Sequence, residues 1–135
     1  MQKQLAQVAT FQRAFGQNVE TQPTLISKEK AKLRFELMKE ENEEYLEAVQ
    51  NNDLVEIADA LTDELYILYG TILEHGMQNI IEKCFEEVQR SNMSKLDDDG
   101  LPIVNGENGV WDETRAKGKI LKSKNFSEPN LKQFL

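Results

Sequence analysis

An all-α fold is predicted: a four-helix-bundle-like core followed by an irregular, basic C-terminal segment. Three observations predict it. Apolar residues recur at three- and four-residue intervals through most of positions 1–95. The interruptions there are short, and Pro23 is the only proline among them. Past Lys95 the periodicity stops, and KLDDDGLPIVNGENGVWDETRAKGKI holds four of the seven glycines. A chain of 135 residues has the size of one domain and can bury a core. One domain over 1–135 is therefore expected, its helical core at about 1–95 and its tail at about 96–135.

Leu5, Val8, Phe11 and Phe15 trace a first helix that ends near Gly16. GQNVETQPTL is a linker. Ser27 has the place of an N-cap, although Lys30 stands where a capping box would put an acid. The second helix runs from there to about Gln50. Asn51-Asn52-Asp53 then turns the chain, with Asn52 or Asp53 capping the third helix. That helix continues to about Glu74, where His75-Gly76 closes it. A shorter fourth helix, Met77 to Arg90, carries Ile80, Ile81, Cys84, Phe85 and Val88. The remainder reads as turns, with room for a small hairpin, laid on a helical bundle.

The formal net charge of -8 and a pI near 4.7 argue against a general nucleic-acid binder. The charge is also divided. Glu40 to Glu64 holds ten acidic residues and no Lys or Arg, whereas Arg115 to Leu135 holds six basic residues and one acid. Such a division suits cations bridging protein carboxylates to an anionic substrate that a basic segment grips elsewhere. It also suits plain neutralisation of the middle by the tail. A single cysteine, Cys84, allows no intrachain disulfide, and a single histidine, His75, allows no histidine zinc cluster; His75 reads as a helix cap. The apolar runs are far shorter than a bilayer span, and MQKQLAQVATFQ has no signal-peptide core. A soluble cytoplasmic protein with no membrane or nucleic-acid partner is expected.

Helical geometry sorts the acids. At about 100° per residue, Leu33, Leu37, Met38, Tyr45, Ala48 and Val49 share one arc of the second helix. Glu44 and Glu41 fall inside that arc and Glu40 at its edge, whereas Glu36, Glu43 and Glu47 fall on the wet side. The third helix is apolar around most of its surface, so it is expected to be nearly surrounded by protein. Its polar window holds Glu56, Asp59 and Asp63 in one stripe. No Lys or Arg is expected beside these inward acids. Hard divalent cations, Mg²⁺ or Mn²⁺, are the natural compensators for like charges gathered in apolar surroundings. The alternative without metal is a helix interface in which these acids meet Arg34, Lys83 or a partner's basic tail.

Glu40-Glu41-x-x-Glu44 followed by Glu56-x-x-Asp59 resembles the signature of the all-α nucleoside triphosphate pyrophosphohydrolases, of MazG-like and phosphoribosyl-ATP pyrophosphohydrolase-like type. DALTDELYILYG, FEEVQRSNMSKLDDDGLPI and GKILKSKNFSEPNL continue the resemblance over roughly Leu33 to Leu131. It implies an oligomeric helical bundle that hydrolyses a nucleoside triphosphate between its α and β phosphates. Glu44, Glu56 and Asp59 would then bind Mg²⁺, Glu41 would position or deprotonate the water, and Glu40 and Asp63 would serve further ions or their waters. Asn92 and Lys95 resemble a nucleotide contact. Lys83, and Lys119 with Lys122 beside Gly118, are further candidates for phosphate. Two other readings stay open: hydrolysis of phosphoribosyl-ATP, and a non-enzymatic helical module that oligomerises in response to divalent ions. A homodimer or homotetramer is expected in either case, with Val55, Tyr66, Tyr69 and Leu73 of the third helix at the interface.

Overall fold

The computed structural model describes all 135 residues. Four α-helices, a two-stranded hairpin and a terminal 3-10 turn follow one another along the chain. They fall into two compact units, Met1–Ile81 and Glu82–Leu135.

The first unit contains α1 (Gln2–Ala14), α2 (Lys28–Gln50) and α3 (Leu54–Glu74). Each of these helices ends in the same way. Gly16, Asn52 and Gly76 take positive φ angles of 68°, 55° and 66° just past the helix end. The amide of the following residue then reaches back to a carbonyl five positions earlier: Gln17 to Gln12 at 2.7 Å, Asp53 to Ala48 at 3.0 Å, Met77 to Ile72 at 3.0 Å. These are Schellman caps, and they satisfy carbonyls that a helix end leaves orphaned. Helix starts are capped by side chains. Ser27 Oγ accepts from the Lys30 amide at 3.2 Å, and Asp53 Oδ1 accepts from the Val55 and Glu56 amides at 3.0 and 3.2 Å. Asn52 therefore supplies the turn and Asp53 the cap.

Leu5, Val8 and Ala9 of α1 pack with Leu73 of α3 as the buried core, and Val19, Tyr69, Ile72 and Ile81 close around them. The linker after α1 lies on the end of α3. The Glu20 amide donates to Leu73 O, the Thr24 amide to His75 O, and His75 Nδ1 meets Thr24 O at 2.9 Å. This close approach needs Gly76, since a Cβ there would run into the Gln22 carbonyl. Gly76→Ala combines that clash with a left-handed φ and is expected to lose about 2–3 kcal/mol of stability. Urea denaturation reads the loss, and an unchanged midpoint would contradict it.

The helical faces differ from the expectation in two respects. On α2 the most buried residues are Arg34 and Ala48, with Leu37, Met38 and Glu41 half-buried, while Leu33 is 57% exposed. On α3 the chain buries Ala60, Gly70, Leu73 and Glu74, and leaves Leu54 and Val55 at 78% and 76% exposed. The third helix is thus far from surrounded within one chain. The reason is steric. Ala60 and Gly70 let α2 approach closely, and Gly70 leaves the space that the Arg34 guanidinium occupies. This draws the acidic side of α3, rather than its apolar arc, toward α2. Leu73 is also removed from any subunit interface, because it belongs to the chain's own core.

In the second unit, α4 spans Ile81–Met93, four residues later at its start and three later at its end than the sequence pattern indicated. Strands β1 (Ile103–Val104) and β2 (Ile120–Leu121) pair antiparallel, Ile103 opposite Leu121. The fully buried Asn105 fastens the loop between them. Its Nδ2 donates to the carbonyls of Asp112, Arg115 and Ala116 at 3.0, 2.9 and 3.2 Å, and its Oδ1 accepts from the Asp112 amide at 2.7 Å. The end of the chain is clamped to α4 by one ion pair. Arg90 grips Glu87 with two bonds of 2.8 Å and reaches Ser127 and Glu128 O, while Glu87 accepts from the Asn130 amide. Those bonds hold the Glu87 carboxyl down at about 2.

Candidate functional site

Antiparallel packing of α2 on α3 brings the acids of the two helices together. Glu44 and Glu47 of α2 and Glu56 and Asp59 of α3 line one open cavity of about 440 Å³, with Asp53 and Asn51 at the turn and Ala48 and Ala60 on its floor. Small residues at the floor allow the helices to come close without filling the groove. Glu47 is exposed, as its place on the wet side of the wheel predicts, and it still lines this open groove. It lies beside Glu44 on the helix, and its long side chain reaches the same groove. Glu43 does stand outward, paired with Lys39 at 3.6 Å in solvent.

Glu41, Glu40 and Asp63 are not among the residues that line this cavity, but Glu41 feels the charges of two that do, Glu44 and Asp59. Glu41 Oε2 is buried and has no hydrogen-bond partner. Its carboxyl is raised above the ordinary 4.5, first because burial desolvates it and then by the negative charges of Glu44, Asp63, Glu40 and Asp59. Every charge that acts on it is therefore negative. α2 does carry a buried cation on the same face, which the wheel reading overlooked. Arg34 is turned away to α3, where it donates to Thr71 Oγ1 at 2.9 Å and to Ile67 O; burial lowers its pKa, and the charge of Glu74 offsets part of that.

A raised carboxyl is a stability statement. Glu41 holds its proton more tightly in the folded chain, so no penalty exists below the unfolded value of 4.5. The penalty appears as pH rises from there through the raised folded value, and persists above it. Glu41→Gln is thus expected to raise the melting temperature of the metal-free protein at pH 7, and the gain should vanish near pH 3. Equal effects at both pH values would contradict it.

The donors here are carboxylate oxygens throughout, the chemistry that Mg²⁺ and Mn²⁺ prefer, and Glu41 Oε2 is an orphaned acceptor that feels their charge. As the side chains stand, no three carboxylates, imidazoles or thiols converge closely enough to hold an ion. The residue types fit a hard cation; an assembled coordination set would require the glutamate side chains to re-aim.

The basic candidates belong to the second unit. Lys95 Nζ donates to Asn92 Oδ1 at 2.7 Å, which joins the Asn-x-x-Lys pair. Lys95, Lys119 and Lys122 line a second cavity, of about 520 Å³, together with Asp112, Arg115, Ile120 and Leu121. Lys83 is exposed on α4 and takes no part in it. Arg115 was not singled out from the sequence. Its only signal was its place as first cation of the basic tail. Trp111 is 64% exposed beside the same loop, so it plugs no core.

Three helices with a groove of facing carboxylates, and no thiol or imidazole among its donors, define a class of acidic-site all-α proteins. Residues 8–92 match the family model described as phosphoribosyl-ATP pyrophosphohydrolase, and the chain belongs to that family. The acids of α2 and α3 lie within the matched residues; Lys95 and the basic loop, Asp112 included, lie beyond them. An uncharacterized protein of Acanthamoeba polyphaga mimivirus, L479, is 42% identical over 93 residues, which is 66% of this chain and 37% of that protein. The chain thus spans little more than a third of the length of that relative. No helix is long and apolar enough to cross a membrane.

Proposed function

We propose that this member of the pyrophosphohydrolase family is a Mg²⁺-dependent nucleoside triphosphate pyrophosphohydrolase, Mn²⁺ being an alternative ion. It cleaves between the α and β phosphates to give a nucleoside monophosphate and pyrophosphate, as a cytoplasmic cleaner of the nucleotide pool. The observation that carries the reading is Glu41: a carboxylate with a buried, unpartnered oxygen, ringed by Glu40, Glu44, Asp59 and Asp63. A helix-packing module would bury such a group against Arg or Lys. Here the neighbours are acids, and the groove beside them is open.

Glu44, Glu56 and Asp59 would hold the cation, which when bound supplies charge neutralisation for the phosphate chain. The Glu41 carboxylate accepts the proton of the attacking water, and its raised carboxyl makes it the stronger base for that step. Glu40 stands next to it as the second candidate for the same work. Asp63, whose charge reaches Glu41, would serve a further ion or its waters. Asn92, Lys95, Lys119 and Lys122 contact the substrate, with Lys83 as a further cation. The exposed apolar faces of α2 and α3 pair two copies of the chain, with a tetramer as the next step.

A second reading, hydrolysis of phosphoribosyl-ATP, is favoured by the description of the matching family. One assay tests both. Pyrophosphate release is measured over a panel of triphosphates, dUTP and damaged nucleotides included, and over phosphoribosyl-ATP, with Mg²⁺ and with a chelator. Release from a triphosphate that stops on chelation is expected. Release from phosphoribosyl-ATP alone would establish the second reading. No release from any of them by folded protein would overturn both, and metal-triggered association in that case would point to a non-enzymatic module.

A further inference from the structure

Lys95, Arg115, Lys119 and Lys122 line one cavity in a protein whose net charge is -8. Ten of the 24 acids lie in Glu82–Leu135 with these cations, so the cavity's basic lining is a local arrangement and not a basic half of the chain. Asp112 is the one carboxylate lining the cavity, and it is already engaged. Its Oδ1 accepts from the Thr114 amide at 2.9 Å and from the Thr114 hydroxyl at 2.6 Å. The ion pairs of the second unit join Glu87 to Arg90, Glu128 to Lys122 at 3.7 Å, and Asp98 to Lys124. Lys95, Arg115 and Lys119 are paired with none of these acids.

Gathering like charges costs energy, which Asp112 beside Arg115 and Glu128 beside Lys122 offset only in part, one acid to each of two cations among four. The loop is nonetheless built to hold them. Asn105 bonds the carbonyl of Arg115 itself, along with those of Asp112 and Ala116, and exchanges backbone bonds with the far end of the loop: its amide donates to Lys119 O at 2.9 Å and its carbonyl accepts from the Gly118 amide at 2.8 Å. Arg115 and Lys119 are thus fixed at their backbones by one fully buried side chain and its own peptide groups. Lys95 is held from the other side by Asn92, and the Lys122 ammonium rests over the Phe126 ring at 4.1 Å.

We propose that this cavity is a polyphosphate site that works without a metal ion, with Arg115 as its principal anchor. A guanidinium presents a planar fork that takes two phosphate oxygens at once, and lysines around it add charge without demanding geometry. The volume of about 520 Å³ has room for more than one phosphoryl group. Inorganic pyrophosphate is the ligand chosen. That choice rests on the proposed reaction, of which it is the product; the basic cavity itself does not depend on that reading.

Trp111, the only tryptophan, stands next to Asp112 and provides the probe. The full chain is titrated with inorganic pyrophosphate in EDTA, by Trp111 fluorescence and by calorimetry, with a non-hydrolysable nucleoside triphosphate as a second arm. Pyrophosphate should bind one per chain, more weakly as salt rises. Arg115→Gln with Lys119→Gln should weaken it by about tenfold or more, the loss of two charge-assisted phosphate contacts. Glu56→Gln with Asp59→Asn should bind as the unsubstituted chain does. No binding in EDTA, equal binding by the Arg115→Gln/Lys119→Gln protein, or loss of binding in the Glu56→Gln/Asp59→Asn protein would each overturn the site. Binding of the nucleotide but not of pyrophosphate would overturn it too, since the contacts would then lie outside the phosphates. Mg²⁺-dependent hydrolysis without pyrophosphate binding in EDTA would sink this inference alone. Binding without hydrolysis of any substrate would sink the proposed activity alone.

Discussion

Glu56→Gln and Asp59→Asn are each expected to lower turnover by about a hundredfold or more, the scale on which transition-state charge stabilisation is lost when one of its groups is removed. Glu36→Gln and Glu43→Gln should stay within about twofold, because surface changes away from a site rarely exceed a fraction of a kcal/mol. The contrast rests on placement. Glu56 and Asp59 line the α2–α3 groove with Glu44, whereas Glu43 is spent on a solvent pair with Lys39. Glu47 moves between the two sets. It lines the groove, so Glu47→Gln is expected to reduce activity measurably although it follows the same helical edge as Glu36 and Glu43. Pyrophosphate release on the best substrate is the readout. Equal losses from Glu43→Gln and Asp59→Asn would mean that the groove is not the site.

Self-association through the apolar face of α3 is the second large effect expected. Leu54 and Val55 are 78% and 76% exposed, Leu65 is 52% exposed, and Phe35 and Leu46 of α2 are 60% and 55% exposed. Apolar side chains this exposed leave surface that a second copy of the chain can bury. Burial of apolar area stabilises association at about 25 cal/mol per Å² before the entropy and ordering costs of docking are subtracted. A two-fold pair is the simplest closed arrangement. Light scattering after size exclusion should give twice the 15.5 kDa of one chain, or a multiple of that pair. Leu54→Glu with Val55→Glu should shift the chain to monomer at micromolar concentration while its helices remain. A monomer without any substitution would contradict the assignment of this face.

Much of the architecture was legible because its causes are local. Gly16, Asn52 and Gly76 mark helix ends since a left-handed residue is needed there, and glycine or asparagine provides it most cheaply. Ser27 and Asp53 announce helix starts because their short side chains reach the amides one turn on. The start of α4 was misplaced since apolar Met77 and Ile80 extend the helical pattern backwards through turn residues. Helical spacing put Glu44, Glu56 and Asp59 on sides of α2 and α3 that share one groove, but it did not show that exposed Glu47 lines the groove too or that Arg34 is buried against α3. An isolated wheel treats every apolar arc as inward.

The order of helices, their caps and the acidic pairs Glu41/Glu44 and Glu56/Asp59 were therefore determined by the sequence alone, through interactions that span a turn or two. Which side of α3 meets α2 was decided only in three dimensions. Ala60 and Gly70 permit the close approach there, and the Arg34 guanidinium fills the space beside Gly70 that a side chain would have taken. That choice sets the carboxylates facing one another around Glu41 and leaves the apolar arc outward. The same holds for the basic loop. Lys95 and Arg115 are twenty residues apart, and one buried asparagine, by fastening the carbonyls of Asp112, Arg115 and Ala116, brings them to the same cavity.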